Sequence, residues 1–344
     1  MMNQTSPDGT CFTGDITDGL VEIFFIVNFF ALNAIIGSVG LVVNVIKVIV
    51  FFKLGLNDST NISFFVLSLA DAGIGLLMVG FSVVFNPLFQ QTISNIDVEF
   101  AISYYCVSWP YSVFSRVAAL MTAVITVERF LCITFPLKVK EIMNPTMTAI
   151  TSITLTFLVL ATVIPAFVAT HLGPVFNEKL NKTILGLVQT EFRVQLEAFS
   201  YFFLAFFQIM SIVVITVFTV ALTHRFLQIT SWRNQVSNRS GELSGKDKRL
   251  VKMVILLSIS FLLFSIPALV FIFLAEFQEG FTITGACKHF YFIFSSFIFP
   301  TDAMNSIVSF FLLLHMSSKF QHVVNGMLQV VMRGKRKTND KTEE

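Results

Sequence analysis

Seven long apolar runs recur along the chain, and they constrain its fold more than any other feature. A helix needs about 20 mostly apolar residues to cross roughly 30 Å of hydrocarbon, and all seven runs reach that length. A membrane-spanning barrel would instead show segments of about ten residues with alternating hydrophobicity, a pattern that this sequence does not have. The sequence therefore predicts an all-α membrane protein, a bundle of seven transmembrane helices. The runs are 24–52, 62–86, 103–134, 147–170, 195–225, 250–276 and 287–314.

The composition and the approach to the first run agree with a membrane protein. Hydrophobic residues make up 55% of the chain and charged residues 13%, which is outside the range of soluble domains. Acidic residues and no basic residue precede the first run, which is longer than the core of a signal peptide, so we interpret it as a membrane helix. The sequence shows no nucleophile with a base, no metal-spaced cluster and no phosphate-binding loop, and we expect no enzyme.

Lysine and arginine are distributed unevenly between the two sides of the predicted bundle. They collect in cytoplasmic loops, and seven spans with an outside amino terminus place most of them inside. The outer segments then hold only Lys179, Lys182, Arg193 and Lys288. We therefore predict a plasma-membrane protein with an extracellular segment 1–23, a membrane domain 24–314 and a cytoplasmic segment 315–344. The glycosylation sequons at Asn3 and Asn181 fall on the outer side of this topology.

The segment after the seventh run has apolar residues at helical spacing. This pattern predicts a short amphipathic helix on the inner membrane surface, followed by a disordered tail whose basic cluster is attracted to anionic lipid. The apolar positions are Phe320, Val323, Val324, Met327 and Leu328.

The stretch "ITVERFLCITFPLKVK" places Glu128 and Arg129 side by side where the third run ends. It resembles the Asp/Glu-Arg-Tyr signature of rhodopsin-like G-protein-coupled receptors, with Phe130 in the tyrosine position. Together with "SWPYSVFSR" it is similar, more specifically, to the receptor family of gastropod molluscs described as chemosensory. The motifs "GLVVNVI", "NISFFVLSLAD", "FLLFSIP" and "MNSIVSFFLLLHMSSKF" extend the resemblance to the first, second, sixth and seventh runs.

The resemblance implies a receptor that binds an extracellular ligand, either a small water-borne chemical or a peptide, and activates a heterotrimeric G protein by helix rearrangement. Arg129 would be held in a latch by Glu128 and by Asp247 at the start of the sixth helix; a solvated Asp247 is the alternative. Phe261 and the kink at Pro267 would form the activation switch.

Asp71 is a carboxylate in the middle of the membrane, where an unpaired charge is costly and a functional role is expected. By resemblance, it would centre a polar pocket that can hold an allosteric sodium ion; no other cofactor is expected. The alternative is a protonated acid that shares hydrogen bonds. Ala118 stands where the family usually supplies a serine ligand. The other pocket residues would be Asn44, Asn305 and Ser309.

Arg116 and Asp302 are the charged residues from which the chemistry of a ligand can best be inferred. A bare charge in lipid costs from about 2.5 to above 10 kcal/mol, so both must have partners. In one alternative, the two charges pair with each other, or with Glu197 or Gln208. In the other, Arg116 binds an anionic group of the ligand, because a guanidinium binds a carboxylate bidentately. The candidate ligand residues are Trp109, Ser112, Arg116, Glu197, Gln208 and Asp302.

Three cysteines, Cys11, Cys106 and Cys287, fall on the predicted outer side, which allows one disulfide and one free thiol. The family usually ties the position of Cys106 to the second outer loop, but that loop, 171–193, has no cysteine. Cys106 is therefore free, or bridged to Cys11 or to Cys287.

The sequence also departs from the receptor pattern. The family's Asn-Pro-x-x-Tyr motif is replaced by residues 309–313, "SFFLL", and Ser265 replaces a tryptophan before Pro267. These departures allow a receptor-like protein that no longer couples to a G protein, and a transporter or channel is the competing class of membrane protein. The lack of duplicated halves in the sequence disfavours a transporter. Membrane lipids are expected as partners of the chain, and nucleic acids are not.

Overall fold

The computed structural model describes residues 18–86, 103–136, 138, 143–177, 181–236, 245–281 and 286–340. In this part of the chain seven helices are long and apolar enough to cross a membrane, which confirms the predicted fold class. We number these spans one to seven in chain order. They are Gly19–Leu54, Ser59–Val84, Tyr104–Thr134, Pro145–Ala169, Arg193–Ser231, Lys248–Ala275 and Lys288–Met316.

The spans are built from the following helical elements. Span one consists of α1 (Asp18–Phe24), a π-helical segment (Phe25–Leu32) and α2 (Asn33–Leu54). Span two is α3 (Ser59–Val84), and span three is a π-helical segment (Ser103–Ser108) followed by α4 (Trp109–Thr134). Span four is α5 (Pro145–Ala169), and span five lies in α6 (Arg193–Val236). Span six comprises α7 (Gly245–Phe264) and α8 (Ile266–Phe277), span seven is α9 (Lys288–Met316), and α10 (Ser318–Asp340) follows.

Local residues explain several helix ends. Gly55 ends α2 with a φ of 88°, a conformation that costs glycine little. Asn144 caps α5, because its side chain accepts a hydrogen bond from the backbone N–H of Met147 at 2.8 Å, and Pro145 suits the first helical position. Span six is interrupted between α7 and α8, directly before Pro267.

The bundle buries polar as well as apolar side chains and has an apolar outer surface, as a protein surrounded by lipid requires. Asn44, Ser63 and Ser258 are completely buried, whereas Phe52 and Phe157 expose 68% and 67% of their surface. Buried polar groups can satisfy one another between helices, and the exposed aromatic rings meet hydrocarbon.

Spans one and two approach each other closely through glycine. A Cβ atom added at Gly75 would lie 2.7 Å from the backbone nitrogen of Leu41 and 3.0 Å from the carbonyl oxygen of Gly37. Small residues of this kind let two membrane helices come into backbone contact. This contact fixes the relative position of the faces that carry Asn44 and Asp71.

An antiparallel hairpin connects spans four and five, which the sequence analysis did not predict. It pairs β1 (Thr170–Asn177) with β2 (Lys182–Gln189) in a register that places Thr170 opposite Gln189. Asn181 precedes β2 with a φ of 47°, a left-handed conformation that asparagine adopts more readily than most residues.

The predicted amphipathic helix corresponds to α10. Phe320 is completely buried, with its ring centroid 5.6 Å from that of Phe51 and 5.9 Å from that of Phe310. Val324 is buried as well, but Leu328 is 54% exposed. The helix continues to Asp340, past the point at which the sequence predicts a disordered tail.

Candidate functional site

Glu128 and Arg129, in the last two turns of α4, form an ion pair at one end of the bundle, which we call the Arg129 end. The Nη2 atom of Arg129 lies 3.4 Å from Oε1 of Glu128, and both side chains are almost completely buried. Glu128 also accepts hydrogen bonds from the hydroxyls of Thr60 at 3.0 Å and Ser63 at 3.4 Å, both on α3. The carboxylate therefore ties span three to span two while it holds the arginine.

The guanidinium of Arg129 is only partly satisfied. Its Nε atom is buried and has no hydrogen-bond partner among the described residues. Asp247, the second predicted latch residue, lies in the first turn of α7, but its side chain is outside the part of the chain that the structure describes. One turn before Arg129, the hydroxyls of Thr126 and Ser258 are 3.0 Å apart, so a hydrogen bond connects spans three and six.

Lys47 lies at the centre of the polar cluster around Asp71. Its ammonium is 3.0 Å from Oδ2 of Asp71 and donates to Oγ of Ser309 at 2.9 Å, and its side chain has no solvent exposure. The sequence analysis missed this lysine, because it treated span one as apolar up to Lys53. The available signal was that Lys47 lies one helical turn after Asn44 and therefore on the same face.

The other predicted members of this pocket have different partners. Asn44 donates from Nδ2 to the carbonyl of Gly40 at 2.8 Å and to Oγ of Ser306 at 2.9 Å. Asn305 accepts a hydrogen bond from Ser260 of span six at 3.0 Å. A cavity of about 20 Å³, lined by Asp71 and by residues of spans two, three, six and seven, adjoins the cluster. That volume holds about one water molecule.

Arg116 is held by span five in the half of the bundle away from Arg129. Its Nε donates to the carbonyl of Leu204 at 3.0 Å, and its Nη1 donates to Oε1 of Gln208 at 2.6 Å and to Oγ of Ser115 at 3.2 Å. Of the pairings that the sequence left open, the structure forms the one with Gln208. All three direct acceptors are uncharged.

Asp302 accepts hydrogen bonds from Tyr111 at 2.8 Å and from Ser115 at 2.6 Å, both through Oδ2. Ser115 therefore connects the two charges, since it accepts from Arg116 and donates to Asp302. Tyr111 and Ser115 were not predicted; the signal for them is a pair of polar residues spaced i, i+4 within an apolar run.

The remaining candidate ligand residues have partners other than Arg116 and Asp302. Trp109 is 2% exposed, and its ring lies 4.9 Å from that of Tyr201 and 5.8 Å from that of Tyr104. Glu197 accepts a hydrogen bond from Tyr104 and pairs with Arg193 at 2.6 Å, so it does not contact Arg116. Ser112, one turn from Trp109, donates to the carbonyl of Ser108 at 2.9 Å.

The two predicted switch residues lie at the interruption of span six. Phe261 is buried and packs in a small cluster with Ala119 and Ala123 of span three and Ile215 of span five. Ser265 donates to the carbonyl of Phe261 at 2.8 Å, immediately before the turn that contains Pro267. Phe261 thus contacts two neighbouring helices instead of lipid.

The cysteines take one of the arrangements that the sequence left open. Cys287 is disulfide-bonded, while Cys106 is an exposed free thiol and Cys132 is also free. Cys106 is therefore not bridged to Cys287. Cys11 and the sequon residue Asn3 lie outside the described residues, and the other sequon residue, Asn181, is exposed.

Comparisons with known proteins identify the family. The family model described as 7 transmembrane receptor (rhodopsin family) matches residues 43–308. A comparison with curated protein sequences gave no match. The matched region contains the ion pair at Arg129, the pair of Lys47 with Asp71 and the Arg116 network, and it extends from within span one to within span seven, ending one residue before Ser309. This chain is a member of the rhodopsin family of seven-transmembrane receptors.

Proposed function

We propose that this chain is a plasma-membrane receptor that binds an extracellular ligand and activates a heterotrimeric G protein, with the Arg129 end in the cytoplasm. One observation carries the proposal: Arg129 is buried against Glu128, while its Nε lacks a partner among the described residues. A buried guanidinium with an unused donor can gain a hydrogen bond when the bundle opens. Buried ion pairs of this kind bias conformational equilibria more than they add stability.

The contacts of span six suggest how a ligand would open this end. An outward movement of α7 would separate the hydroxyls of Thr126 and Ser258 and would remove Phe261 from its contacts with Ala119 and Ala123. The interruption before Pro267 lets α7 move while α8 stays in place. A ligand that favours this arrangement shifts the population toward it.

The surroundings of Arg116 favour a small acid as the ligand, in line with the chemosensory resemblance. The guanidinium makes direct hydrogen bonds only to uncharged acceptors among the described residues, and Asp302 is one hydroxyl away. A ligand carboxylate could replace the amide of Gln208 and form a charge-assisted bidentate pair. Peptides form the second ligand class to be tested.

The test is nucleotide exchange on a G protein reconstituted with the purified receptor, screened against amino acids, organic acids and peptides. We expect an acid to stimulate exchange. Arg116→Ala should abolish this response at normal surface expression, because the anion loses its partner, and Arg116→Lys should retain part of it, since a lysine keeps the charge without the bidentate geometry. The exposed Lys288 provides the control variant Lys288→Ala, which should respond normally.

Three outcomes would contradict parts of the proposal. An acid response that survives Arg116→Ala would remove Arg116 from the ligand site. A response to peptides alone would exclude the small acid. No exchange with any ligand would favour a receptor-like protein that does not couple, and solute flux without exchange would favour a transporter.

A further inference from the structure

We propose that Lys47 supplies the cation of the Asp71 site, so that this receptor carries a tethered ammonium where the family resemblance implies a sodium ion. The inference goes beyond the proposed function, because it concerns how the resting bundle is held and does not depend on G-protein coupling.

The geometry is that of a cation site already filled from within the chain. The Lys47 ammonium lies 3.0 Å from the Asp71 carboxylate and 2.9 Å from the Ser309 hydroxyl. Ser309 donates its own proton to the carbonyl of Ser306 at 2.7 Å, which leaves the lone pairs of its oxygen for Lys47. A single ammonium thus joins spans one, two and seven.

The charges of the cluster leave no need for a second cation. The side chains of Lys47 and Asp71 are 0% and 5% exposed, and each neutralises the other, which membrane burial requires. A sodium ion bound to the same carboxylate would lie close to the ammonium, and two like charges repel strongly in a medium of low dielectric constant. The ion would therefore have to displace the ammonium of Lys47, which belongs to the same chain and cannot diffuse away.

With the ammonium in place, too few free oxygens remain to form a coordination shell, although the buried Oδ1 of Asn44 has no hydrogen-bond partner among the described residues. Hard cations take several oxygen ligands at once. Here the side-chain oxygen of Asn305 accepts from Ser260, and Ala118 has no side-chain oxygen to offer at the position where the family usually supplies a serine. The adjoining cavity of about 20 Å³ has room for about one water but not for a hydrated ion. While the Lys47 ammonium occupies the carboxylate of Asp71 and the hydroxyl of Ser309, the residues of this chain therefore do not fit the sodium ion; without the ammonium, these two oxygens become free to bind it.

The consequence is a receptor whose resting state is independent of sodium. In a site that takes its cation from solution, sodium binding stabilises the state that binds it, in proportion to the logarithm of its concentration. A tethered cation has no such concentration dependence. Opening of the bundle near Asp71 would then require the lysine to move with span one or to lose its partners.

Thermal unfolding of the purified full-length receptor tests this without a ligand or a G protein. Midpoints are compared in sodium chloride and in choline chloride, each at about 0.15 M, so that screening is equal. We expect no difference for the wild type. Lys47→Met keeps most of the side-chain volume but frees the carboxylate, and its midpoint should be at least about 2 °C higher in sodium chloride than in choline chloride. Adding Asp71→Asn to Lys47→Met should remove that difference.

Lys53→Met is the matched control, since Lys53 is exposed near the end of the same helix, and it should behave as the wild type does. A wild-type midpoint that rises with sodium chloride and not with choline chloride would overturn the proposal, and this measurement needs no variant to fold. A Lys47→Met variant whose unfolding midpoint is the same in sodium chloride and in choline chloride would overturn the proposal as well. A missing G-protein response would leave this result untouched, so the two proposals can fail separately.

Discussion

Replacing Glu128 by glutamine should raise the basal activity of the receptor. The carboxylate pairs with Arg129 at 3.4 Å and accepts hydrogen bonds from Thr60 at 3.0 Å and Ser63 at 3.4 Å. An amide has nearly the same shape and can still accept from one of these hydroxyls. The substitution therefore removes the charge that holds the guanidinium and leaves the packing of spans two and three largely unchanged.

The size of the effect follows from the burial of the pair. A hydrogen bond to a charged group contributes about 1.5–3 kcal/mol, and one between neutral groups about 0.5–1.5 kcal/mol. The difference, on the order of 1.4 kcal/mol, corresponds to a factor of ten in an equilibrium constant. If the open state is a minor population, basal nucleotide exchange should rise roughly tenfold. Thr60→Val removes one of the hydroxyls that position the Glu128 carboxylate but keeps the charge that pairs with Arg129, so it should raise basal exchange by less than Glu128→Gln does.

The assay is basal nucleotide exchange on a G protein reconstituted with equal amounts of each receptor variant. Glu191→Gln is the control, because Glu191 is an exposed acid in the connection between β2 and α6 and should show wild-type exchange. Exchange by Glu128→Gln that equals the wild type, at an unchanged unfolding midpoint, would refute the latch.

Two further predictions concern the packing of the bundle and its orientation. Gly75→Ala should lower the free energy of unfolding by about 1–3 kcal/mol, because the new methyl would lie 2.7 Å from the backbone nitrogen of Leu41. Gly80→Ala on the same helix meets nothing within 4 Å and should leave stability unchanged or raise it by up to about 1 kcal/mol; equal unfolding midpoints for the two variants would contradict the close contact. A membrane-impermeant maleimide applied to intact cells should label the exposed thiol of Cys106 and not Cys132, and labelling should disappear in Cys106→Ser. Labelling of Cys132 in place of Cys106 would contradict the proposed orientation.

The sequence predicted the spans well because hydropathy is a local property. Each residue of a run contributes its own transfer free energy, so seven apolar runs can be found without knowledge of their neighbours. The family motif at Glu128 and Arg129 could be found for the same reason, since the two residues are adjacent. The hairpin of β1 and β2 was missed because its short strands carry no hydropathy signal comparable to that of a span.

The pairing of the buried charges could not be predicted in the same way. The sequence shows that Asp71, Arg116 and Asp302 need partners, but a one-dimensional pattern does not say which face of a helix meets which neighbour. Lys47 was missed because a single lysine changes the mean hydropathy of a long run very little.

The seven membrane crossings and the presence of charges inside the bundle can be derived from the amino-acid sequence alone. The folded bundle was needed to show that Lys47 meets Asp71, that Arg116 meets Gln208 and that Glu128 holds Arg129 while bonded to span two. The physical reason is that membrane insertion depends on a sum over neighbouring residues, whereas the rotation of each helix depends on contacts between residues far apart in the chain. The Lys47 ammonium and the Ser309 hydroxyl, 262 positions apart in sequence, meet through such contacts.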